Sequence, residues 1–387
     1  CISYRRRRKK EMKRILHIAP GLDYGGIASF ILNYYSHFPV GSVQMDVLGV
    51  FSADAPRREQ LEKLGGRYSY VGTFSNVHLL RNIIAWTRFI RQGKYDVVHS
   101  HCNLVGAWMM LAAWIAGVPI RVTHSHSTGL LSGSFIQRCY VGLRRWMIKC
   151  LSTHRLACSH DAGIVMYGKK LSFDVLNNGI EVEEFIDSET IDLSDLRQEL
   201  SIPVGHRVYT LVARISEVKN HDFAVDIFRW IHQMDPSAIL LIGGAGGEND
   251  PTERHSPTGP AMHRKIHDYG LESHVRIVGP RKDMKAIYAL TDCWLFPSLY
   301  EGFSIALLEL QASSIPTIVS DRVTRDSDIG LDLLTFVSLD ESPQAWAQLA
   351  CATHKSMLGH ETILSAFKKR SLDVESNVSQ LAHIYGI

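Results

Sequence analysis

Two glutamates, Glu301 and Glu309, lie eight positions apart, one before and one inside a predicted helix. Ser304 is a good N-cap for that helix, and we expect the first backbone N–H groups, such as those of Ser304 and Ile305, to be unpaired and to face outward. Together with the positive end of the helix dipole, they favour an anion. A carboxylate at each end of an anion site suits a molecule with phosphates in its middle and hydroxyls at both ends, such as a nucleoside diphosphate sugar. The alternative is an amphipathic helix with two solvated glutamates, because acids at this spacing are common by chance.

The elements around these glutamates are a strand, a turn, a helix and a strand. The apolar residues 294–296 stop at Pro297, which is typical of a buried strand that ends in a turn. The helix is expected to reach about Ser313, because Pro316 closes it. Residues 317–319 predict the next buried strand, so the unit is the βαβ element of a parallel sheet.

Two cations, Arg214 and Lys219, follow the predicted strand 208–212 and precede another helix. Positive charge at a helix start opposes the dipole, so stability explains these residues poorly. A diphosphate bound between them would explain both. The alternative is a surface salt bridge to Glu217 or Asp222.

A glycine-rich turn follows the first predicted strand, residues 15–18, and opens a helix. Its glycines do not fit the G-x-G-x-x-G pattern, so a dinucleotide site is not indicated. The pair Gly25 and Gly26 would still let backbone N–H groups approach a phosphate closely. The alternative is a plain strand-to-helix turn.

Histidines stand at the ends of two predicted strands: His99 and His101 on one, His124 and His126 on the other. Alternation places each pair on one face. Zinc binding is one interpretation, although we expect no further ligand set at metal spacing nearby. A packed or capping histidine is the second. Contact with a donor sugar is the third, because a neutral imidazole accepts from a hydroxyl and a protonated one stabilises phosphate. For that role we favour His126 over His124.

Strand-like and helix-like segments alternate along the chain, which predicts parallel sheets with helices on both faces. In such sheets, ligands bind beyond the carboxyl ends of the strands. The further predicted strands are 43–50, 68–71, 96–99, 120–123, 238–242 and 274–278, and the clearest helices between them are 76–91 and 104–116.

The composition is that of a globular protein of 387 residues, 45% hydrophobic and 21% charged, which is long enough for two domains. A net charge of +3 does not indicate nucleic-acid binding. The seven cysteines show no paired spacing, and no apolar run spans a bilayer, so we expect reduced thiols in a cytosolic protein. Residues 1–11 form a basic extension that we expect to be disordered.

Residues 133–151 mix apolar and basic side chains: Phe135, Ile136, Trp146, Met147 and Ile148 with Arg138, Arg144, Arg145 and Lys149. One interpretation is a basic amphipathic surface that contacts a membrane. The alternative is an ordinary surface helix whose cations extend to solvent.

The stretch EGFSIALLE, from Glu301 to Glu309, resembles the E-x7-E motif of retaining glycosyltransferases with the GT-B fold, glycosyltransferase family 4. In that family the motif also follows a strand that ends in a proline and a serine. The resemblance covers residues 12 to about 385. The last third of the chain looks most like the capsule and exopolysaccharide glycosyltransferases of bacteria.

Other segments match the family in the expected order. The turn at Gly25 resembles its glycine-rich loop, and Arg214 with Lys219 resembles its phosphate-contacting pair, although Ala213 stands where glycine is usual. The resemblance implies catalytic roles for Glu301 and His126 and sugar contacts from His124 and His101. It also implies these donor contacts: Gly25, Gly26, Arg214, Lys219, Gly279, Arg281, Phe303, Ser304, Ile305 and Glu309.

The resemblance further implies an α/β architecture, GT-B, with two Rossmann-like parallel-sheet domains that face each other across a cleft. We place the domains at 12–186 and 187–365, with a final helix, 366–387, that crosses back to the first domain. A long polar loop at 246–260 departs from the family's short turn.

The function implied is retaining transfer of a hexosyl unit from a nucleotide diphosphate sugar, with UDP favoured, to a sugar acceptor. Neither a metal nor a cofactor is expected. The acceptor would be a saccharide or a lipid-linked saccharide in cell-surface polysaccharide synthesis, at the inner face of the membrane. Two alternatives remain: a nucleotide-sugar epimerase of the same architecture, and a non-catalytic nucleotide-sugar-binding protein.

Overall fold

The computed structural model describes residues 12–23, 25–75, 77–126, 135–186, 191–244, 258–355 and 358–387. The predicted basic extension and most of the long polar loop lie outside these ranges. The chain forms two compact units: residues 1–179 with 371–387, and residues 180–370.

The first unit is built on a sheet of seven parallel strands in the order β3-β2-β1-β4-β5-β6-β7. The sequence order reverses between β1 and β4, so the loops after these two strands leave in opposite directions. Its elements, before the C-terminal segment, are β1 (Lys13–Ala19), α1 (Gly26–His37), β2 (Val43–Gly49), α2 (Arg58–Lys63), β3 (Tyr68–Tyr70), α3 (Leu79–Gly93), β4 (Val97–Ser100), α4 (Gly106–Ala116), β5 (Ile120–Ser125), α5 (Phe135–Leu151), β6 (His154–Ala157), α6 (His160–Tyr167) and β7 (Asp174–Val175).

The second unit is built on six parallel strands in the order β10-β9-β8-β11-β12-β13. Here the order reverses between β8 and β11. The elements are α7 (Glu183–Ile186), α8 (Ser194–Glu199), β8 (Val208–Val212), α9 (His221–Met234), β9 (Ile239–Gly243), α10 (Thr258–Asp268), β10 (Val275–Val278), α11 (Met284–Leu290), β11 (Cys293–Phe296), α12 (Ile305–Ala312), β12 (Thr317–Ser320), β13 (Leu334–Val337), α13 (Pro343–Ala352) and α14 (His360–Lys369).

The last helix, α15 (Val374–Tyr385), belongs to the first unit and packs on α1. Leu381 and Tyr385 join the core formed by α1 and the central strands, because both side chains are fully buried there. Gly179 allows the start of this helix to approach, since a Cβ at that position would lie 2.8 Å from the Asp373 backbone.

The central strands of each sheet are buried and mostly apolar, as is typical of parallel strands covered by helices. β11 is typical, since all four of its residues are buried. The six described cysteines are free. No helix of the described ranges has the length and apolar character needed to cross a bilayer.

Candidate active site

An ion pair lies at the point where the strand order of the second sheet reverses. Lys219 follows β8, Glu301 follows β11, and these strands are neighbours. The Lys219 Nζ lies 2.8 Å from both Glu301 carboxylate oxygens. Ser298 Oγ donates to the same carboxylate at 3.4 Å, and the Phe296 ring centre lies 5.2 Å from the ammonium. In an open parallel sheet this crevice is the usual ligand site.

The loops that carry this pair are fastened to each other. The N–H of Leu299 donates to the carbonyl of Val218 at 2.8 Å. The Asn220 side chain donates to the carbonyl of Pro297 at 3.1 Å, with Asn220 itself in the left-handed conformation (φ 57°). Both side chains of the pair are less than a quarter exposed, so the pair has a defined position at the strand ends.

For Lys219, the salt bridge to Glu217 or Asp222 that we considered as an alternative is not the one observed. Lys219 binds Glu301 rather than its sequence neighbours, while Asp222 lies 3.3 Å from Lys265 Nζ. Arg214 is exposed at the end of β8. An ion pair across 82 positions holds one cation at the edge of the sheet where ligands bind.

The start of α12 differs from the sequence-based expectation. Ser304 is its N-cap and Phe303 precedes it, and both are buried. The Ser304 N–H does not point outward, because it donates to Ser327 Oγ at 2.8 Å. The Gln311 side chain also holds Ser327 against α12, because it donates to the Ser327 carbonyl at 2.7 Å. The expectation that this N–H is unpaired was therefore wrong: a short 3-10 helix, Arg325–Ser327, covers it.

Glu309 is held by a tyrosine that the sequence did not indicate. The Tyr288 hydroxyl donates to Glu309 Oε2 at 2.5 Å. Burial and the neighbouring carboxylate raise the pKa of Tyr288 well above its usual value, so the hydroxyl stays a donor. Tyr288 lies on α11, 21 positions before its partner, and no motif marks it.

Arg281 follows β10 and lies between two carboxylates. Its guanidinium contacts Asp283 Oδ2 and Glu199 Oε1, each at 2.5 Å. Hydrogen bonds to Asp283 and then to Glu199 raise the pKa of Arg281. The predicted contacts of Arg281 and of Gly279 with the donor stay predictions.

The glycine turn lies at the reversal point of the first sheet. Gly25 is the N-cap of α1, which begins at Gly26, and its N–H donates to Asp23 Oδ1 at 2.9 Å. A side chain at Gly25 would meet that carboxylate, since a Cβ would lie 2.8 Å from the oxygen. The turn is therefore ordered by Asp23, and the phosphate contact stays a prediction.

Five histidines converge at the same end of the first sheet. The register pairs His17 of β1 with His99 of β4, and β5 follows as the next strand, so the side chains share one face. Neighbouring ring centres lie 4.2 Å apart for His99 and His101 and 4.1 Å apart for His124 and His126. All but His126 are fully buried.

His17 was missed because the sequence shows it inside an apolar strand, without a second histidine beside it. Only the strand order β1-β4 reveals that it joins the others. Together with it, the cluster contains two sets of three histidines whose ring nitrogens lie within 4.8 Å of one another. The premise that no further ligands lie near these histidines was thus wrong.

Three of the histidines form a hydrogen-bonded chain. His17 Nδ1 lies 2.9 Å from His101 Nε2, and His101 Nδ1 lies 2.8 Å from His126 Nε2. The Asn103 side-chain oxygen accepts from the backbone N–H of His126 at 3.1 Å, which holds the backbone of the last member in place. Outside the chain, His99 Nδ1 lies 2.6 Å from the Tyr385 hydroxyl on α15.

Burial keeps these rings neutral. Desolvation lowers the pKa of His17 and of His126 to about 3. It also lowers the pKa values of His99, His101 and His124 far below their usual value, and repulsion among the rings adds to the effect. Of the two sugar-site roles considered, the neutral imidazole fits this environment and the protonated one does not.

Comparison with known proteins gives the family. Residues 25–163 match the glycosyl transferase 4-like domain, and residues 193–329 match glycosyl transferases group 1. EpsF of Bacillus subtilis (strain 168), named as a glycosyltransferase, is 29% identical over 386 residues, 97% of each chain. An Escherichia coli enzyme named UDP-Gal:alpha-D-GlcNAc-diphosphoundecaprenol alpha-1,3-galactosyltransferase is 27% identical over 80% of this chain and 79% of its own.

Solved structures agree on the fold. Anabaena HepE, solved with UDP and glucose, superposes with a TM-score of 0.77 at 18% identity and covers 97% of this chain and 99% of its own. A sucrose-phosphate synthase from Thermosynechococcus elongatus superposes with a TM-score of 0.71. The two family matches span more than two thirds of the chain and include the ion pair and four of the five clustered histidines, all but His17. This chain therefore belongs to the group 1 glycosyltransferases of family 4, GT-B enzymes that move a sugar from a nucleotide-sugar donor to an acceptor.

Proposed function

We propose that this chain is a retaining hexosyltransferase that uses a nucleoside diphosphate sugar, with UDP as the favoured nucleotide. The acceptor is a lipid-linked saccharide in the synthesis of a cell-surface polysaccharide, and the enzyme works at the cytoplasmic face of the membrane. The observation that carries the proposal is the Lys219–Glu301 ion pair at the reversal point of the second sheet. The galactosyltransferase name of one relative supports this donor and acceptor class.

Charge stabilisation is the chemical role of the pair. When the sugar leaves, negative charge develops on the diphosphate, and fixed cations that stabilise it supply the largest part of catalysis in many enzymes. Lys219 is held for this role by its ion pair with Glu301 on the neighbouring loop. Arg214 lies just after the end of β8, on the same loop as Lys219. No metal ion is required in this scheme, since the two cations take its role.

The two glutamates have separate tasks. Glu309, oriented by the Tyr288 hydroxyl, binds the ribose hydroxyls of the nucleotide. Glu301 forms the ion pair with Lys219 and orients the sugar. An ion-paired carboxylate is a poor nucleophile, so we expect retention without a covalent glycosyl-enzyme. In the first unit, His126 provides the neutral contact to the transferred sugar.

The membrane contact is assigned to one face of α5. Trp146 is 62% exposed and Leu143 44% exposed, and Arg138 and Lys149 flank them in the exposed stripe. Met147 and Ile148, which the sequence placed with this face, are buried instead. An exposed tryptophan between cations suits the interface of an anionic bilayer.

Trp114 on α4, 57% exposed, is the matched control for this surface. We expect Trp146→Ala to reduce binding to phosphatidylglycerol vesicles in a sedimentation assay, while Trp114→Ala does not. Equal binding by both variants would exclude α5 as the contact.

The direct test of the function is incubation with UDP-, GDP- and ADP-sugars, with and without saccharide acceptors. Release of nucleotide that an acceptor accelerates, with a product of the donor's anomeric configuration, is the expected result. An epimerised donor without acceptor would instead show an epimerase, and binding without turnover a non-catalytic protein. Lys219→Met should abolish release, while the exposed Lys368→Met should not.

A further inference from the structure

The hydrogen bonds that join His17, His101 and His126 restrict the tautomer of each of these rings. A neutral imidazole has one N–H and one bare nitrogen, so it donates through one ring nitrogen and accepts through the other. His101 uses both of its nitrogens within the chain. The state of His17 therefore determines that of His101, which in turn determines that of His126.

The unpartnered nitrogen of His17 determines which atom donates in each of these hydrogen bonds. The Nε2 atom of His17 is buried and has no hydrogen-bond partner among the described residues. We assign the bare nitrogen of His17 to this unpartnered position, because a buried N–H without an acceptor loses the hydrogen bond that it would make with water. His17 thus carries its proton on Nδ1 and donates to His101 Nε2. His101 then donates from Nδ1 to His126 Nε2, and the remaining proton of His126 is on Nδ1.

We propose that His17 and His101 are positioning residues that fix His126 in the Nδ1–H tautomer. His126 then offers a hydrogen-bond donor to an oxygen of the sugar substrate, a hydroxyl or the glycosidic phosphate oxygen. The inference rests on the proposed function only for the identity of that oxygen. The tautomer itself is a property of the ligand-free protein.

A transition metal is the competing occupant of the cluster. Zinc bound by three imidazoles has Zn–N distances of about 2.0–2.1 Å, which places tetrahedral ligand atoms about 3.3 Å apart. The two contacts in the chain are shorter, at 2.9 and 2.8 Å, as in N–H···N hydrogen bonds. A metal would also need both nitrogens of each contact to be bare. The geometry therefore favours the hydrogen-bonded chain.

The tautomers can be read by NMR of the full chain labelled with 15N in its histidines. The 15N shifts and long-range couplings to ring protons distinguish Nδ1–H from Nε2–H. We expect His17, His101 and His126 all in the Nδ1–H form, although free neutral histidine prefers Nε2–H. An Nε2–H signal for His101 or His126 would overturn the proposal. So would zinc that co-purifies in equal molar amount and is lost on replacement of His101.

Variants separate positioning from folding. The amide nitrogen of asparagine lies where Nδ1 lies in histidine, so His17→Asn keeps the donor and His17→Leu removes it. We expect His17→Leu to lower kcat about tenfold and to return His126 to a mixture of tautomers, while His17→Asn stays close to the parent. His99→Leu removes an equally buried histidine outside the chain and should leave kcat and the His126 signal in place.

The outcomes distinguish this inference from the proposed function. If the NMR shows Nδ1–H in all three histidines but His126→Ala transfers sugar at the parent rate, the tautomers are confirmed and the contact of His126 with the sugar is refuted. If His17→Leu loses activity with the His126 tautomer unchanged, the positioning role is refuted. Equal losses in His17→Leu and His17→Asn would refute it as well.

Discussion

Acid should destabilise the first unit through its buried histidines. Four of them, His17, His99, His101 and His124, are fully buried, and desolvation lowers their pKa values below the 6.5 of the unfolded chain. As the pH falls, the unfolded state takes up protons first. Stability is therefore complete above about pH 6.5 and is lost from there towards pH 3, the pKa to which His17 is lowered.

The size of the effect follows from the difference in proton uptake. Between pH 7 and pH 5.5, one histidine that stays neutral in the fold costs about 1.3 kcal/mol of stability. Four such groups cost about 5 kcal/mol, which is comparable to the whole stability of many domains. The free energy of unfolding of the first unit should fall by about this amount.

Hydrogen exchange read by peptide mass spectrometry reports on the first unit by itself. Amides of β4 and β5 that exchange only on unfolding should lose between three and four decades of protection from pH 7 to pH 5.5, on the order of 10 per 1.4 kcal/mol. His124→Leu removes one of the four groups and should reduce this loss by about one decade. The exposed His78→Leu is the control and should not change it. If the pH dependence is the same in His124→Leu as in the parent, the buried neutral cluster is refuted.

Three further predictions concern single contacts. Glu301→Gln releases Lys219 from its ion pair, so it should bind UDP a few-fold more tightly in calorimetry while transfer falls; weaker binding would contradict the pairing. Tyr288→Phe should raise the KM for the donor by about fivefold through loss of a hydrogen bond of about 1 kcal/mol to Glu309; an unchanged KM would separate Glu309 from donor binding. Gly179→Ala should lower the Tm through a loss of about 1–3 kcal/mol, because its Cβ would meet the Asp373 backbone at 2.8 Å, whereas Gly142→Ala in open space on α5 should not; equal Tm values would refute the close approach.

Much of the fold could be predicted because its strands are short apolar runs between turn signals. The strand expected at 208–212 is β8, and the helix expected from Ser304 to about Ser313 is α12 with those two residues as its caps. β7, with only two residues, both exposed, gave no such signal. The GT-B architecture and the family were confirmed by the comparisons, and the residue roles stay predictions.

The candidate site was predicted in its parts but not in its contacts. Lys219 and Glu301 were each identified from local motifs, yet their ion pair depends on β8 and β11 being neighbours, which local patterns do not determine. The same holds for His17, which reaches the cluster only through the pairing of β1 with β4. Tyr288 carries no motif, because its contact with Glu309 joins α11 to α12 across 21 positions and depends on the tertiary structure.

The binding of UDP by Lys219→Met tests the central claim. That claim is that cations of the second unit bind a diphosphate where the strand order reverses between β8 and β11. Isothermal titration calorimetry at low salt should show a Kd raised about tenfold or more over the parent, as expected for loss of a charge-assisted hydrogen bond. Lys368→Met, which removes an equal charge from the exposed face of α14, should keep the parent Kd. A Kd for Lys219→Met equal to that of Lys368→Met would contradict the account.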